Sequence, residues 1–483
     1  MGAVLLDSVK AWWPEAVLSL GALAAILASA WSARASASLA VAWAAVLAAA
    51  IALWRTQAPA SGLVFSGLIT TDVLSLAFRW IGLASVAITL LLVTASREFD
   101  LARRGECLGL LLLIGVGFML MAEANHLLMA YLAVEMVSLS SYALVGFLHE
   151  PRSAEAGLKY LLFGALSSGI MLFGMSLLYG ITGVLDLPDA GVRADLLLRG
   201  NVPAVVPWLS VAVVMILAGL GFKISLVPFH LWTPDAYEGA PVPVAALLSV
   251  GSKAAGLALL LRVAHALPSL WTILAPALMA LTVITMTLGN TVALVQTNIK
   301  RLLAYSTIGQ VGYVLIGVMA GTRLGLEALL LYVVAYLFMN FGAFACVVAV
   351  VNETGSESIE AFRGLSRRAP GLALLFALFL LSLAGIPPLL GFFGKFLLLG
   401  AALDAGFPWL AVAAILNSAA ALYYYVQLIR QMYFAQAPAE PRLRVALPLR
   451  LALGVCAAGT VLLGLFPGPL LEAVRAAAAL TRL

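Results

Sequence analysis

The chain has 483 residues, of which 64% are hydrophobic and only 10% are charged, and its mean hydropathy is +1.09. This composition excludes a soluble globular protein and predicts an integral membrane protein, because nearly the whole chain divides into apolar runs of spanning length. The net charge of +5 comes from basic residues scattered through short connections. We therefore expect no nucleic-acid binding, and we expect a lipid bilayer as the surrounding medium.

We predict about fourteen membrane-spanning helices, which start near residues 15, 38, 72, 107, 126, 156, 205, 241, 270, 300, 325, 370, 406 and 444. An even number of spans places both termini on the same side of the membrane. The connections after odd-numbered spans hold more lysine and arginine than the others, so the positive-inside rule places them in the cytoplasm. Both termini are then expected on the outer side.

Two of the predicted spans combine prolines with a lysine. Lys223 is followed by Pro228, and Pro387 and Pro388 precede Lys395. A proline inside a helix removes a backbone hydrogen bond and clashes with the preceding turn, so both spans should be discontinuous. The two lysines are 172 residues apart, which gives the broken spans corresponding places in two units of five helices. An odd number of helices in each unit predicts that the repeat is inverted in the membrane.

The predicted fold class is an all-α polytopic membrane protein with two inverted five-helix repeats, each containing a discontinuous helix. Residues 1–106 hold the first three transmembrane helices, residues 107–265 the first repeat, residues 266–435 the second repeat, and residues 436–483 a C-terminal transmembrane helix. Interrupted spans at matching places of inverted repeats are the best sequence pointer to the ion path of a transporter.

Several ionisable residues lie inside apolar spans, where lipid cannot solvate a charge. Glu135 lies about nine residues into its span, near mid-membrane, and we predict Lys223 as its partner because opposite charges keep each other ionised. Lys253 and Lys395 also lie at membrane depth, and a lysine removed from water can release and regain a proton near neutral pH. The pattern favours a proton relay; a static ion pair is the alternative interpretation of Glu135 and Lys223.

Other polar residues in the spans are less specific. Lys159 opens the sixth span and fits either the relay or a side chain that reaches the membrane interface. His230 is seven residues after Lys223, which predicts the same helix face, and its near-neutral titration suits a relay. Arg79 has no visible partner in the third span, and Glu123 after the fourth span is interpreted as interfacial.

The sequence carries no signature of a cofactor site. Cys107, Cys346 and Cys456 are far apart and form no CxxC pair, so we interpret them as small buried residues. There is no phosphate-binding loop, no dinucleotide-binding glycine pattern, no HExxH and no nucleophile motif. We expect no cofactor and no metal on this chain, and neither ATP hydrolysis nor hydride transfer by this chain alone.

Five stretches resemble the antiporter-like subunits in the membrane arm of respiratory complex I, the proton-translocating NADH:quinone oxidoreductase, and most closely its subunit N branch. They are YLAVEMVSLSSYALVGF at 131–147, GLGFKISLVPFHLWTPDAYEGAPVPVAALLSVGSKAA at 219–255, NIKRLLAYSTIGQVGY at 298–313, ESIEAFRGLSRRAP at 357–370 and LSLAGIPPLLGFFGKF at 381–396. The resemblance extends from about residue 70 to the end of the chain.

This resemblance implies roles for the charges in the membrane. Glu135 and Lys223 match a switching carboxylate and lysine, Lys253 matches the central channel lysine, and Lys395 matches a lysine that exchanges protons with the far side. Lys159 matches a further lysine on the sixth span. A departure is Gln310, where several relatives carry histidine, and this puts in doubt a relay drawn through that position.

The resemblance also implies the setting of the chain. FMN, iron–sulfur clusters and quinone are expected on other subunits, which supply the driving force by oxidising NADH and reducing quinone. The expected partners are other membrane-arm subunits, especially the antiporter-like subunit M and the small subunits K and J, in a bacterial inner membrane with both termini periplasmic. Two alternatives share the fold and charge pattern: a subunit of a multisubunit cation/proton antiporter and the equivalent subunit of a membrane-bound hydrogenase.

Overall fold

The computed structural model of the chain describes residues 2–31, 35–56, 62–99, 104–200, 205–436 and 443–480. Within these ranges there are twenty α-helices and a single two-stranded antiparallel sheet. The helices are α1 Gly2–Ala11, α2 Trp13–Trp31, α3 Ala35–Arg55, α4 Val73–Ala95, α5 Arg104–Glu123, α6 Leu127–Val145, α7 Pro151–Thr182, α8 Leu187–Arg199, α9 Val205–Ile224, α10 Trp232–Gly239, α11 Val242–Ala266, α12 Pro268–Ala293, α13 Ile299–Ala320, α14 Arg323–Thr354, α15 Leu365–Arg368, α16 Pro370–Ala384, α17 Leu390–Asp404, α18 Pro408–Phe434, α19 Leu447–Leu465 and α20 Gly468–Leu480. The strands are β1 Leu63–Val64 and β2 Ile69–Thr70, with Leu63 opposite Thr70 and Val64 opposite Ile69.

Thirteen helices in the described ranges are long and apolar enough to cross a membrane. The short helices α16 and α17, of 15 residues each, together make a fourteenth crossing. The predicted all-α polytopic fold with about fourteen spans is thus confirmed. The helices α1, α8 and α20 were not predicted, because helices of 10 to 13 residues are too short to be recognised as apolar spans.

Both proline-containing spans are interrupted where the sequence predicts. The helix α9 ends at Ile224, and α10 begins at Trp232. The helix α16 ends at Ala384, where Gly385 adopts a φ of 92° that an L side chain rarely takes, and α17 begins at Leu390. Each interruption leaves carbonyl groups at a helix end without their usual partners inside the helix.

The helices of the two predicted repeats correspond at a constant shift in sequence. The helices α6 and α13 begin 172 residues apart, and so do α7 and α14, which both have 32 residues. Two isolated β-bridges, His126–Asp186 and Asn298–Ser358, are related by the same shift. The correspondence agrees with two five-helix units, while the inversion of one unit and the boundaries of the four segments remain predictions.

The interior of the molecule is formed by α11, α13 and α14. In the most apolar stretch of these three helices, 100%, 94% and 89% of the residues are buried within the chain itself. The corresponding shares in α7 and α12 are only 33% and 28%. The interior helices are apolar around their whole circumference, as expected of helices enclosed by other helices. Polar side chains on these three helices are therefore removed from lipid and can contact only other protein groups.

The contact between the two halves of the second broken span leaves no room for a side chain at Gly391. A Cβ atom built at this position would lie 2.0 Å from the carbonyl oxygen of Ser382. We expect Gly391→Ala to lower the free energy of unfolding by about 1–3 kcal/mol or more, which a denaturation midpoint of the purified protein would measure. The control is Gly400→Ala on the same helix, where a Cβ meets nothing within 4 Å; equal midpoints for the two variants would contradict the prediction.

Candidate functional site

Lys223 lies near the end of α9 and is fully buried. Its Nζ donates a hydrogen bond of 3.0 Å to the hydroxyl of Ser138 on α6. Ser138 is three residues after Glu135, so the carboxylate lies one helical turn from the hydroxyl that binds the ammonium. Glu135 and Lys223 form no ion pair within 4.0 Å, and the buried Oε1 of Glu135 has no hydrogen-bond partner in the described chain. In this conformation Ser138 takes the place of the carboxylate at the ammonium, so the predicted partners are separated and their pairing stays a prediction.

Lys253 lies in the middle of the enclosed helix α11 and is 2% exposed. Its Nζ is 4.5 Å from the ring centroid of Trp232 and 5.7 Å from that of Tyr237, both on α10. Among the residues that the structure describes, no group accepts a hydrogen bond from this ammonium. The aromatic faces stabilise its charge without fixing its orientation. Lys253 can therefore transfer a proton without first breaking a hydrogen bond to the protein.

An aromatic cluster packs beside Lys253 and the end of α9. The rings of Tyr160 and Trp232 stack with centroids 4.2 Å apart and planes at 11°, and Phe222 packs 5.1 Å from Trp232. The indole N–H of Trp232 donates to the carbonyl of Phe222 at 3.0 Å, which ties α10 to the end of α9. Trp232 therefore contacts Lys253 through its ring and the residue before Lys223 through its indole N–H.

Lys395 lies on α17 and is 6% exposed. Its Nζ donates to the carbonyls of Leu383 and Ala384 at 3.0 and 3.1 Å, and to the hydroxyl of Ser418 at 3.4 Å. The same ammonium lies 4.3 Å from the ring centroid of Tyr313. Lys395 thus satisfies two carbonyls that the break after α16 leaves free, a need that membrane-embedded breaks impose.

Buried hydrogen bonds extend from the helix of Lys253 toward α13. The amide of Asn340 on α14 donates to the hydroxyl of Ser249 on α11 at 2.6 Å. Tyr336, one turn before Asn340, donates to the hydroxyl of Thr307 on α13 at 2.9 Å. All four side chains are buried. Sequence reasoning missed them because they are uncharged; a lone asparagine within the apolar run of α14 was the available signal.

A second group of buried hydrogen bonds, centred on Gln310 one turn after Thr307, reaches Lys395. The Gln310 amide donates to the Leu383 carbonyl at 3.1 Å, and this carbonyl also accepts from Lys395. The hydroxyl of Tyr332 donates to Gln310, and the hydroxyl of Tyr425 accepts from it at 3.4 Å. The glutamine therefore links Lys395, through the shared Leu383 carbonyl, to α13, α14 and α18.

The structure favours the interfacial alternative for Lys159 and corrects the placement of His230. The Lys159 side chain is 43% exposed and pairs with Glu155 at 2.8 Å and with Asp235 at 3.1 Å, so it lies at the rim of the site and not at depth. His230 does not share a helix face with Lys223, because α9 ends before it and the histidine lies in the break. His230 is 6% exposed, and its Nδ1 has no hydrogen-bond partner in the described ranges.

Arg79 has partners that the sequence did not reveal. Its guanidinium contacts the Glu15 carboxylate at 2.7 Å and the Glu123 carboxylate at 2.9 Å, and all three side chains are 0% exposed. The interfacial interpretation of Glu123 is therefore wrong. The partners come from α2 and α5, so only the packing of three helices brings them together.

A polar basin of about 780 Å³ opens on the face that the positive-inside rule places in the cytoplasm. Lys300 lies beneath it, 1% exposed, in an ion pair with Glu357 and donating to the carbonyl of Ala240 at 2.7 Å. Ala240 lies two residues before the first residue of α11, so Lys300 connects the basin with the segment that leads into the helix of Lys253. The basin is lined by Arg97, Glu98, Leu148, Glu150, Arg152, Glu238, Thr297, Asn298, Val351, Asn352, Gly355, Ser356, Glu357 and Ser358.

Within the described residues there is no group of three or more histidine, cysteine, aspartate or glutamate side chains that could hold a metal ion. Cys107, Cys346 and Cys456 are buried and free. The buried polar groups include amines, carboxylates and hydroxyls. Amines and carboxylates can take up or release a proton, and hydroxyls can donate and accept hydrogen bonds, so this arrangement can support proton transfer.

Comparison with known proteins gives consistent matches. Residues 124–420 match the model of the family described as NADH:quinone oxidoreductase/Mrp antiporter, TM. An NADH-quinone oxidoreductase subunit N of Anaeromyxobacter sp. (strain Fw109-5) is 42% identical, over 97% of this chain and 96% of the relative. A chain of respiratory complex I from Thermus thermophilus with bound aureothin is 33% identical with a TM-score of 0.80, covering 95% of this chain and 99% of that chain. A chain of the Mrp complex from Dietzia sp. DQ12-45-1b shares the fold, with a TM-score of 0.85 at 22% identity over 98% of this chain and 97% of that chain.

The hydrogen bonds of Gln310 predict a stability effect. Gln310→Leu leaves the Tyr332 hydroxyl without its acceptor and the Leu383 carbonyl with one donor fewer. We expect the free energy of unfolding to fall by about 1–3 kcal/mol, because a buried polar group that loses its partner keeps its desolvation cost. Chemical denaturation of the purified protein measures it. Gln427→Leu, at an exposed position of α18, is the control and should change the value by less than about 0.5 kcal/mol; a similar effect at both positions would contradict the prediction.

Proposed function

Because the chain belongs to the family of NADH:quinone oxidoreductase and Mrp antiporter transmembrane subunits, we propose that its buried lysines form a proton relay along the membrane interior. The chain is a proton-translocating membrane subunit of NADH:quinone oxidoreductase, respiratory complex I. The observation that supports the relay is that Lys223, Lys253 and Lys395 are all buried and that buried hydrogen-bonded side chains lie on the helices between Lys253 and Lys395.

The first element of the proposed relay is the pair of Glu135 and Lys223. The ammonium binds Ser138, one turn from the carboxylate, so a small rearrangement would exchange the hydroxyl for Glu135. Charges a few ångströms apart interact strongly where water does not screen them. Moving the Lys223 charge toward or away from Glu135 therefore changes the field at Lys253, which no protein acceptor in the described ranges holds in place.

The second element joins Lys253 to Lys395. The hydroxyls of Ser249, Tyr336 and Thr307 can each donate and accept a hydrogen bond. The amide of Asn340 donates to Ser249, and Gln310 bonds the hydroxyls of Tyr332 and Tyr425. In this proposal Gln310 positions its neighbours and does not carry a proton itself, which agrees with its departure from the histidine of several relatives. Lys395 would then exchange its proton with the far side of the membrane.

The entry to the proposed relay is the polar basin above Lys300. This lysine bonds Ala240 in the segment that leads into α11 and therefore lies between the basin and Lys253. Lys159, paired with Asp235 at the rim, would exchange protons with a neighbouring subunit, and His230 in the first helix break would serve as a further acceptor. The assignment of Lys159 rests on its position at the rim, and that of His230 rests on its burial and its unpaired Nδ1.

The proposal places the redox chemistry elsewhere in the complex. FMN, iron–sulfur clusters and quinone would be held by other subunits, and this chain would contact subunit M and the small subunits K and J. The protein would lie in a bacterial inner membrane with both termini periplasmic, and its segments would be residues 1–106, 107–265, 266–435 and 436–483. A cation/proton antiporter subunit is the second candidate, but its support is a shared fold at 22% identity, against 42% identity with a subunit N.

The relay predicts the effect of removing one lysine. In membranes carrying Lys253→Met or Lys395→Met, we expect NADH-driven proton uptake to fall by about one to two orders of magnitude, because a positioned proton donor is lost. Quinone reduction should fall with it while the complex stays assembled. Lys10→Met, whose side chain is 67% exposed, is the control and should leave both rates at the parental level.

The same variants separate the two candidate functions. If NADH oxidation and its proton uptake stay intact in Lys253→Met and Lys395→Met while sodium tolerance or sodium/proton exchange is lost, the antiporter candidate replaces the respiratory one.

The predicted orientation can be tested by cysteine labelling, since the three native cysteines are buried. Asp7 and Glu360 have side chains that are 66% and 68% exposed and lie on opposite predicted faces. We expect a membrane-impermeant maleimide to label Asp7→Cys in intact cells and Glu360→Cys only in inverted vesicles. The parent protein is the control for unwanted labelling, and the reverse pattern would contradict the orientation.

A further inference from the structure

Two buried carboxylates share one guanidinium where the first three helices meet the rest of the chain. Arg79 on α4 contacts Glu15 on α2 and Glu123 on α5, and none of the three side chains is exposed. If both carboxylates were ionised, the cluster would carry one uncompensated negative charge away from water. An uncompensated buried charge is so costly that such a group takes up a proton instead.

The remaining contacts of the cluster do not supply the missing positive charge. Arg79 also donates to the carbonyl of Ala11 at 3.1 Å, and the hydroxyl of Thr71 donates to Glu123 at 3.2 Å. Oε1 of Glu15 and Oε2 of Glu123 are buried and have no hydrogen-bond partner in the described chain. Each carboxylate therefore presents one oxygen that a bound proton can occupy.

The nearest other charges already compensate one another. Arg262 on α11 donates to both carboxylate oxygens of Asp72, at 3.1 and 2.9 Å. Burial acts to raise the pKa of Asp72, but the charge and hydrogen bonds of Arg262 outweigh burial and hold that pKa below its ordinary value. This pair is thus neutral as a whole and leaves the Arg79 cluster unbalanced. Further titratable groups on adjacent elements are His265 of α11, His126 before α6, and the exposed Lys10–Asp7 pair of α1.

We propose that Glu15, Arg79 and Glu123 form a proton-binding site in which the two carboxylates hold one proton between them at neutral pH. The proton makes the cluster neutral, so α2 and α5 pack on α4 without a bare buried charge. Because both carboxylates contact the same guanidinium, their titrations are coupled, and the proton belongs to the pair and not to either residue. The site lies outside the series of Lys223, Lys253 and Lys395, and its proton does not depend on transport along them.

Two glutamine variants test the proposal, since glutamine has the shape of a protonated glutamic acid and cannot titrate. The unfolding of this chain in the purified complex is followed with temperature from about pH 6 to about pH 9 for the parent, Glu15→Gln and Glu123→Gln. A site that takes up a proton on folding loses stability as pH rises, because its folded state binds more protons than the unfolded chain.

The expected result is a steeper loss of stability with pH in the parent than in either variant. The difference should approach one proton, a tenfold change in the unfolding equilibrium for each pH unit. Glu360→Gln, at a side chain that is 68% exposed, is the matched control and should keep the parental slope. Identical slopes in the parent and both glutamine variants would overturn the proposal.

Assembly of the complex gives a second readout. The double variant Glu15→Gln with Glu123→Gln leaves Arg79 as a buried cation without a counter-charge, so the amount of assembled complex should fall while each single variant assembles normally. Failure of both single variants to assemble would show that both carboxylates must be ionised. Normal assembly of the double variant would show that Arg79 needs neither of them. Either result contradicts the shared proton.

Discussion

The structure depends on one constraint: a charge or a free backbone carbonyl inside a membrane protein must find its partner within the protein. Lys395 shows both sides of this constraint, since the break after α16 frees carbonyls and the lysine supplies the donors that satisfy them. Lys253 shows another solution, with aromatic faces in place of acceptors. Lys395 thus stabilises the second helix break, and Lys253 packs on the helix that follows the first.

The sequence was sufficient for features that a single segment encodes. The prolines at 228, 387 and 388 predict both breaks because a proline acts on its own helix, and the apolar runs predict the spans because length alone decides whether a helix can cross. His230 was misplaced because a proline indicates that a helix ends but not how many residues pass before the next begins; here α9 and α10 are separated by residues 225–231.

Partnerships between helices could not be predicted. Ser138 replaces Glu135 at Lys223, and the partners of Arg79 come from two other helices, because only the packed arrangement decides which turn faces which. Asn340 was not predicted for a different reason: one uncharged amide hardly changes the hydropathy of an apolar helix. The candidate lysines were therefore identified from the sequence, whereas the groups that link them were not.

The hydrogen bonds of Lys395 depend on its protonation state. An ammonium has three N–H donors, and all three are engaged, by Leu383, Ala384 and Ser418. A neutral amine keeps two N–H donors and gains a lone pair, so it can still bond both carbonyls while the Ser418 hydroxyl turns to donate to Nζ. The bond of 3.4 Å to Ser418 on α18 is the longest of the three. The protonation state of Lys395 would then set the direction of one hydrogen bond between α17 and α18, and the two carbonyls of the helix break would keep their donors in both states.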